Sequence, residues 1–319
     1  MSTALRAIMF ILLGVLCGSL NDVGIKLLSG EYPLHQMVFV RSVIGVAISF
    51  ALVQMEGGIA LLRSDRPGLH LLRALLVVFS NMLFFSALAV MPLGAATALF
   101  FVAPLFITIL AIPILGETVG RHRIAAVLIG LLGVGVMMAP GVDWGGIGRA
   151  SLLLPVAAAC CYAGMQVLTR KLGADTAASA LGFYIQLTFL CVSALFFMIA
   201  GDGRFAEGLS HPSGVFLLRA WVWPAAQDIW VFGVIGCMSA AIGYCMGMAY
   251  KLGTASVVAS YEYAALPLAL LWGWLIFGEV PRNVVWIGIA LIAGAGLYVF
   301  ARERARDRVL AASPPLRHP

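Results

Sequence analysis

From Leu93 to Leu115 the chain runs for 23 residues without a charge, then stops at Gly116-Glu117. A helix needs about 20 apolar residues to cross the hydrocarbon of a bilayer. A short basic turn follows (Arg121, His122, Arg123), and a second apolar run leads from Ile124 to Met138. The same plan returns near the C-terminus. Pro104 finds Pro267, Gly116-Glu117 finds Gly278-Glu279, and Gly133-x-Gly135 finds Gly294-x-Gly296. Pro to Glu is 13 residues and then 12, and Glu to the first Gly of the pair is 16 and then 15. A chain that states one plan twice is to be divided near its middle.

Composition names the solvent. Hydrophobic residues make up 62% and charged residues 11%, against about a quarter charged in a soluble domain. Ten apolar runs of roughly spanning length can be marked: 7–28, 35–53, 69–90, 93–115, 124–138, 150–168, 177–200, 229–250, 255–277 and 284–300. The link 201–229 holds the segment VFLLRAWVW, too short to span, and Trp221 and Trp223 are expected at the membrane interface. The first run contains Asn21, Asp22 and Lys26 and has no clear small-residue cleavage site, so it reads as a retained span rather than a signal peptide. All six cysteines fall in apolar runs without metal-site spacing. They are expected as small packing residues, with no disulfide and no metal.

The expected fold is therefore an all-α integral membrane protein of ten transmembrane helices. Five spans per half place the second half upside down, so the halves are inverted five-helix repeats, 1–139 and 150–300, followed by a basic tail, 301–319. Charge tests this. With both termini cytoplasmic, 14 Lys and Arg residues fall on the inner side and 6 on the outer. The positive-inside bias selects that orientation, and the expected location is the cell (inner) membrane, crossed many times with both termini cytoplasmic.

Further residues carry a resemblance. Asn21-Asp22-x-x-x-Lys26 closes the first span, Arg41 opens the second, Pro92-Leu93-Gly94 precedes the fourth, and Arg170-Lys171-Leu172 closes the sixth. With the two Gly-Glu span ends, the chain resembles the drug/metabolite transporter superfamily in its EamA-type ten-helix branch. The resemblance runs to about Val299. It implies a permease or exporter of small metabolites, with a central cavity lined mainly by spans one, three, four, six, eight and nine.

Ionisable groups inside spans are costly, so they face a cavity or a partner. Asp22 and Lys26, four residues apart, share a helix face. Two readings stand: a local Asp22–Lys26 pair, or Asp22 turned to the cavity. Arg41 is expected to pair with Asp22 or Glu31, and Arg73 to snorkel to the inner surface. Glu262 lies seven residues into the ninth span. Its repeat partner is Phe100 or Leu99, so the fold itself needs no acid there. Desolvation penalises a charged carboxylate in such a place, so Glu262 is expected to exchange a proton for a cationic group. The candidate substrate or coupling residues are Glu262, Asp22, Asn81, Gln166, Tyr261, Tyr263 and Tyr244. Glu117 and Glu279 read as turn-closing groups, and the paired glycines as close helix contacts.

The expected function is a secondary transporter working by alternating access. Its substrate is expected to be a small polar metabolite, zwitterionic or cationic, such as an amino acid derivative or S-adenosylmethionine. Protons are the expected coupling ion. The alternative is a structural or sensory membrane protein that transports nothing. No metalloprotease, serine-hydrolase or paired-aspartate motif marks an enzyme, no nucleic-acid module is present, and no cofactor is implied.

Overall fold

A computed structural model describes the chain except residues 1–2, 64–65, 117–119, 140–143, 145–146, 173–176, 253–257, 259–260 and 313–319. Within helices it leaves the side chains of residues 4, 123, 170, 172, 250, 299–300 and 303–312 undescribed. The described residues are nearly all helical. In order they form α1 (Thr3–Leu28), α2 (Leu34–Glu56), α3 (Pro67–Leu88), α4 (Leu93–Phe100), α5 (Ala103–Leu115) and α6 (Arg121–Met137). Then come α7 (Arg149–Leu172), α8 (Ala178–Ala200), α9 (Pro212–Leu218), α10 (Ile229–Leu252), α11 (Ala265–Phe277) and α12 (Asn283–Ala312). Seven stretches among them, α4 and α5 taken together as Leu93–Leu115 included, are long and apolar enough to cross a membrane. Three shorter apolar helices, Ile124–Met137, Ala265–Phe277 and Asn283–Tyr298, match the remaining expected spans. The chain is a multi-pass membrane protein.

The packing follows the repeat. The most extensive helix contacts pair α1 with α10, α3 with α7, α2 with α8, and α6 with α12. Exchanging each helix for its counterpart in the other half turns α1–α10 into α7–α3 and returns α2–α8 and α6–α12 to themselves. The contact of α5 with α7 likewise maps onto that of α11 with α1. Face-to-face packing of equivalent helices is what a two-fold plan produces.

Two spans are broken rather than continuous. Pro104 sits in the first turn of α5, and Phe101-Val102 separate that helix from α4. Proline has no N–H to give to the carbonyl four residues back, so the ladder is interrupted there. In the second half, Tyr263-Ala264 form a turn ahead of α11, and Pro267 follows three residues into the helix region. Both spans end alike: Gly116 and Gly278 take left-handed backbone conformations, with φ of 70° and 64°, that cap α5 and α11.

Glu279 then does more than close a turn. Its carboxylate accepts the N–H of Leu93 at the start of α4 at 2.8 Å and pairs with the Lys26 ammonium at 2.8 Å. Lys26 also donates to the carbonyls of Leu88, 3.3 Å, and Met91, 2.6 Å. Of the two readings, the local Asp22–Lys26 pair is not the one found: Lys26 instead helps bolt α1 to α4 and the end of α11. Glu117, the repeat counterpart of Glu279, lies outside the described residues.

The 201–228 link is strapped over the end of the bundle where α1 stops. Gln36 exchanges two hydrogen bonds with Val222, donating to its carbonyl at 2.6 Å and accepting its N–H at 3.2 Å. Tyr32 donates to Asp228 at 2.7 Å and accepts the Ala225 N–H at 2.9 Å. Arg219 holds the Ser29 and Gly30 carbonyls. Burial lowers its pKa from the ordinary guanidinium value, and Glu31 opposes that shift. Trp223 is 98% exposed, as an interface anchor requires, but Trp221 turns inward against Phe197 with ring centres 4.3 Å apart. The last helix also exceeds expectation. It runs on through most of the basic tail to Ala312.

Candidate functional site

Two polar clusters lie inside the apolar bundle. The first joins α1, α2 and α3. Arg41 is 2% exposed and donates to Asn21 at 3.2 Å and Asn81 at 3.5 Å. Its guanidinium lies over the rings of Phe85 and Phe189, at 5.1 and 4.8 Å from their centres, an arrangement that stabilises a buried cation. Asn21 donates to Asp22 at 3.3 Å, and Asp22 interacts electrostatically with Arg41. Of the two expected partners Arg41 thus meets Asp22, while Glu31 faces Arg219.

The second cluster lies two turns away along α3, beside the helix breaks. Arg73 donates through Nε to Thr169 at 2.6 Å. Three and seven residues before Thr169, Gln166 and Tyr162 share its helix face, and Gln166 donates to the Tyr162 hydroxyl at 2.7 Å. Arg73 and Glu262 both act electrostatically on that hydroxyl. An aromatic wall continues from it: Tyr162 against Phe100 with centres 5.4 Å apart, and Phe100 against Phe84 at 5.2 Å. Phe100 ends α4 at its break, and Glu262 precedes the turn before α11. The two broken spans therefore face each other across Tyr162. Tyr162, Gln166 and Glu262 are all half-buried.

The structure brings some expected residues together and parts others. Gln166 bonds Tyr162 and Glu262 acts on it electrostatically, while Asn81 bonds Arg41 and Asp22 acts on it electrostatically. Tyr263 stands next to Glu262 but packs on Phe101, centres 5.0 Å apart, and against Gly296 of α12, where no Cβ would fit beside its hydroxyl. Tyr261 joins a separate apolar cluster with Ile11, Val15 and Ala249 of α1 and α10. Tyr244 packs edge-on to Phe10, centres 6.3 Å apart, and interacts electrostatically with Glu56, away from both clusters. Successive helical residues diverge by about 100°, so Tyr261, Glu262 and Tyr263 were bound to separate. Arg73 is the residue that sequence reasoning misplaced. It does not snorkel outward but is 6% exposed and turned inward. Thr169, four residues after Met165 on an apolar helix, carried no signal that it would hold a guanidinium.

The six cysteines are free thiols. Cys17 and Cys245 are buried, but Cys160, Cys191 and Cys237 face outward, so packing accounts for only part of the set.

A family description drawn as "EamA-like transporter family" matches residues 5–139. A riboflavin transporter of Rhizobium johnstonii is 30% identical over 83% of this chain and 80% of its own. The chain belongs to the EamA-like transporter family. Within it, an S-adenosylmethionine uptake transporter of Rickettsia prowazekii is 25% identical over 95% of both chains. A solved crystal structure aligns with a TM-score of 0.60 over 96% of both chains at 22% identity, which shows a shared fold.

Proposed function

We propose that this family member is a secondary transporter that carries a small polar metabolite across the membrane by alternating access. The observation that carries the reading is the pair of helix breaks, Phe101-Val102 and Tyr263-Ala264, converging on the half-buried Tyr162–Gln166–Glu262 group. Irregular backbone at membrane depth is tolerated where it is enclosed by protein or lines a cavity, and transporters bind substrate at such breaks between repeats. The wall of Phe84, Phe100 and Tyr162 offers ring faces to a flat heteroaromatic group. Riboflavin and S-adenosylmethionine, named for two relatives, both contain one. Glu262 favours a substrate with a cationic or zwitterionic part and is the candidate site for proton coupling. The two halves, 1–139 and 150–300, are proposed as the bodies that rock about this site, in the inner membrane with both termini cytoplasmic.

Purified protein in sealed proteoliposomes, preloaded with riboflavin or S-adenosylmethionine, tests this by counterflow of the labelled compound. Exchange above protein-free vesicles is expected for at least one probe. No exchange of either, together with an unchanged metabolite profile in cells lacking the protein, would overturn transport in favour of a structural or sensory role.

A further inference from the structure

A groove of about 630 Å³ opens sideways between α3 and α8, and no residue of the two polar clusters lines it. Leu71, Leu187, Cys191 and Leu195 on its rim are exposed, while Ala74 beneath them is buried. The fold does not require this gap. The repeat counterpart of the α3–α8 contact is that of α10 with α2, and it is closed: a Cβ on Gly236 would lie 2.7 Å from the Ile44 side chain. Both α3 and α8 begin at the same end of the groove. There His70, about one turn into α3, meets Tyr184 of α8 with ring centres 5.6 Å apart. The Tyr184 hydroxyl donates to the Leu62 carbonyl, and Thr188 donates to the Tyr184 carbonyl at 2.8 Å. The buried Nδ1 of His70 has no hydrogen-bond partner among the described residues, so the polar groups of the groove gather at this head. Beyond them the walls are largely apolar. From Tyr184 to Leu195 the groove follows α8 for eleven residues, about 16 Å. One leaflet of a hydrocarbon core about 30 Å thick is about as deep.

We propose that this groove is a binding site for an anionic phospholipid, with one acyl chain along α8 and the headgroup at the end where α3 and α8 begin. Such a site is independent of what the protein carries. A crevice open to the bilayer leaves its walls without contacts unless a hydrocarbon chain fills it, and a polar head over an apolar slot one leaflet deep has the shape of a lipid. Charge selects the headgroup. The segments 56–66 and 170–178 at that end hold four basic and three acidic residues. One of the acids, Glu56, already accepts the Ser179 hydroxyl at 2.6 Å, and Arg63 and Arg66 are exposed. Neither α3 nor α8 has an acid in its first turn, and each helix N-terminus carries roughly half a positive charge. A lipid phosphate complements that end. A zwitterionic headgroup would bring a further cation to it.

The rim thiol of Cys191 reports on the groove, and Cys160 and Cys237, exposed but outside it, serve as controls. Alkylation of these native thiols in detergent is followed by peptide mass spectrometry while phosphatidylglycerol, or phosphatidylcholine with the same chains, is added. Phosphatidylglycerol is expected to slow Cys191 about ten-fold at about ten times its dissociation constant and to leave the other two unchanged. Phosphatidylcholine should need a higher concentration. Arg63→Gln, at an exposed position, should narrow the difference between the lipids. Leu187→Trp should fill the groove from its rim and reduce the phosphatidylglycerol retained in native mass spectrometry. Thermal melting establishes that each variant is folded, and the wild-type comparison of the two lipids needs no variant. Equal slowing of all three thiols, equal action of the two lipids, or a lipid preference unchanged in folded Arg63→Gln overturns the site. Protection of Cys191 that rises with protein concentration and ignores lipid would put a second copy of the chain there. Protection by riboflavin or S-adenosylmethionine in place of lipid would make the groove a substrate path. Either result overturns the lipid site.

Discussion

At the scale of single residues, the proposed coupling group Glu262 marks a place where the two halves differ. Its repeat counterpart, in the register set by Gly278-Glu279, is Phe100, and both stand at helix breaks. One half closes its break with a ring and the other with a carboxyl group. The acid is therefore not a demand of the architecture, and it acts electrostatically on Tyr162 and Tyr263. Glu262→Gln keeps size and hydrogen bonding but cannot bind or release a proton. It is expected to lose accumulation driven by an imposed pH gradient while keeping counterflow within a few-fold of wild type. Accumulation equal to wild type in the mutant would exclude Glu262 as the coupling group. Wild-type transport that ignores the gradient would make the protein a facilitator. The acid itself was legible in the sequence because a charge in an apolar span is conspicuous. Its companions were not. Spacing along one helix pointed Lys26 at Asp22, yet Lys26 reaches Glu279 in the other half, and sequence distance cannot see a partner 253 residues away.

At the scale of helices, boundaries were legible and breaks were not. The expected spans agree with α1, α2, α3, α7, α8 and α10 to within a few residues, because twenty apolar residues can only be a crossing helix. The 93–115 run was read as continuous although it contains Pro104, since hydropathy registers apolarity and not the missing N–H. The glycine pairs teach a similar lesson. Gly133 and Gly294 hold matching repeat positions and were expected to pack alike. In the structure, a Cβ on Gly133 would lie 2.9 Å from Ile292 and 3.0 Å from the Gly288 carbonyl, whereas one on Gly294 would meet nothing within 4 Å. The reason is that α6 and α12 pack against each other, and the Gly288 face of α12, not the Gly294 face, meets α6. Gly133→Leu should therefore force the two helices apart, at a cost of about 1–3 kcal/mol or more, and lower the melting temperature in detergent. Gly294→Leu should stay within about 0.5 kcal/mol of wild type. Equal losses in the two mutants would mean that the α6–α12 contact is not the one described.

At the scale of the whole molecule, orientation is the remaining question, and the structure alters the charges that decide it. The split of 14 inner to 6 outer basic residues counted every Lys and Arg by position along the chain. Arg41 and Arg73 prove to be buried, so neither reports which face meets the cytoplasm. Removing both leaves 13 against 5, and the bias that orients helices on insertion survives. The strapped 201–228 link belongs to the face where α1 ends, together with the Lys26–Glu279 bolt, and is therefore expected outside. Ser213, a natural choice for labelling that link, is 7% exposed and would report poorly. Ser64, its natural partner on the opposite face, lies outside the described residues. Ser210 and Ala301 are exposed, and the expected topology puts them on opposite faces. In a background without the six native cysteines, a membrane-impermeant maleimide added to intact cells should label Ser210→Cys and spare Ala301→Cys, which should react only after the membrane is opened. The reverse pattern would turn the whole bundle over. Labelling of both from outside would place the two faces on the same side of the membrane, which an alternating ten-helix path forbids, and the inverted repeat would fall with it.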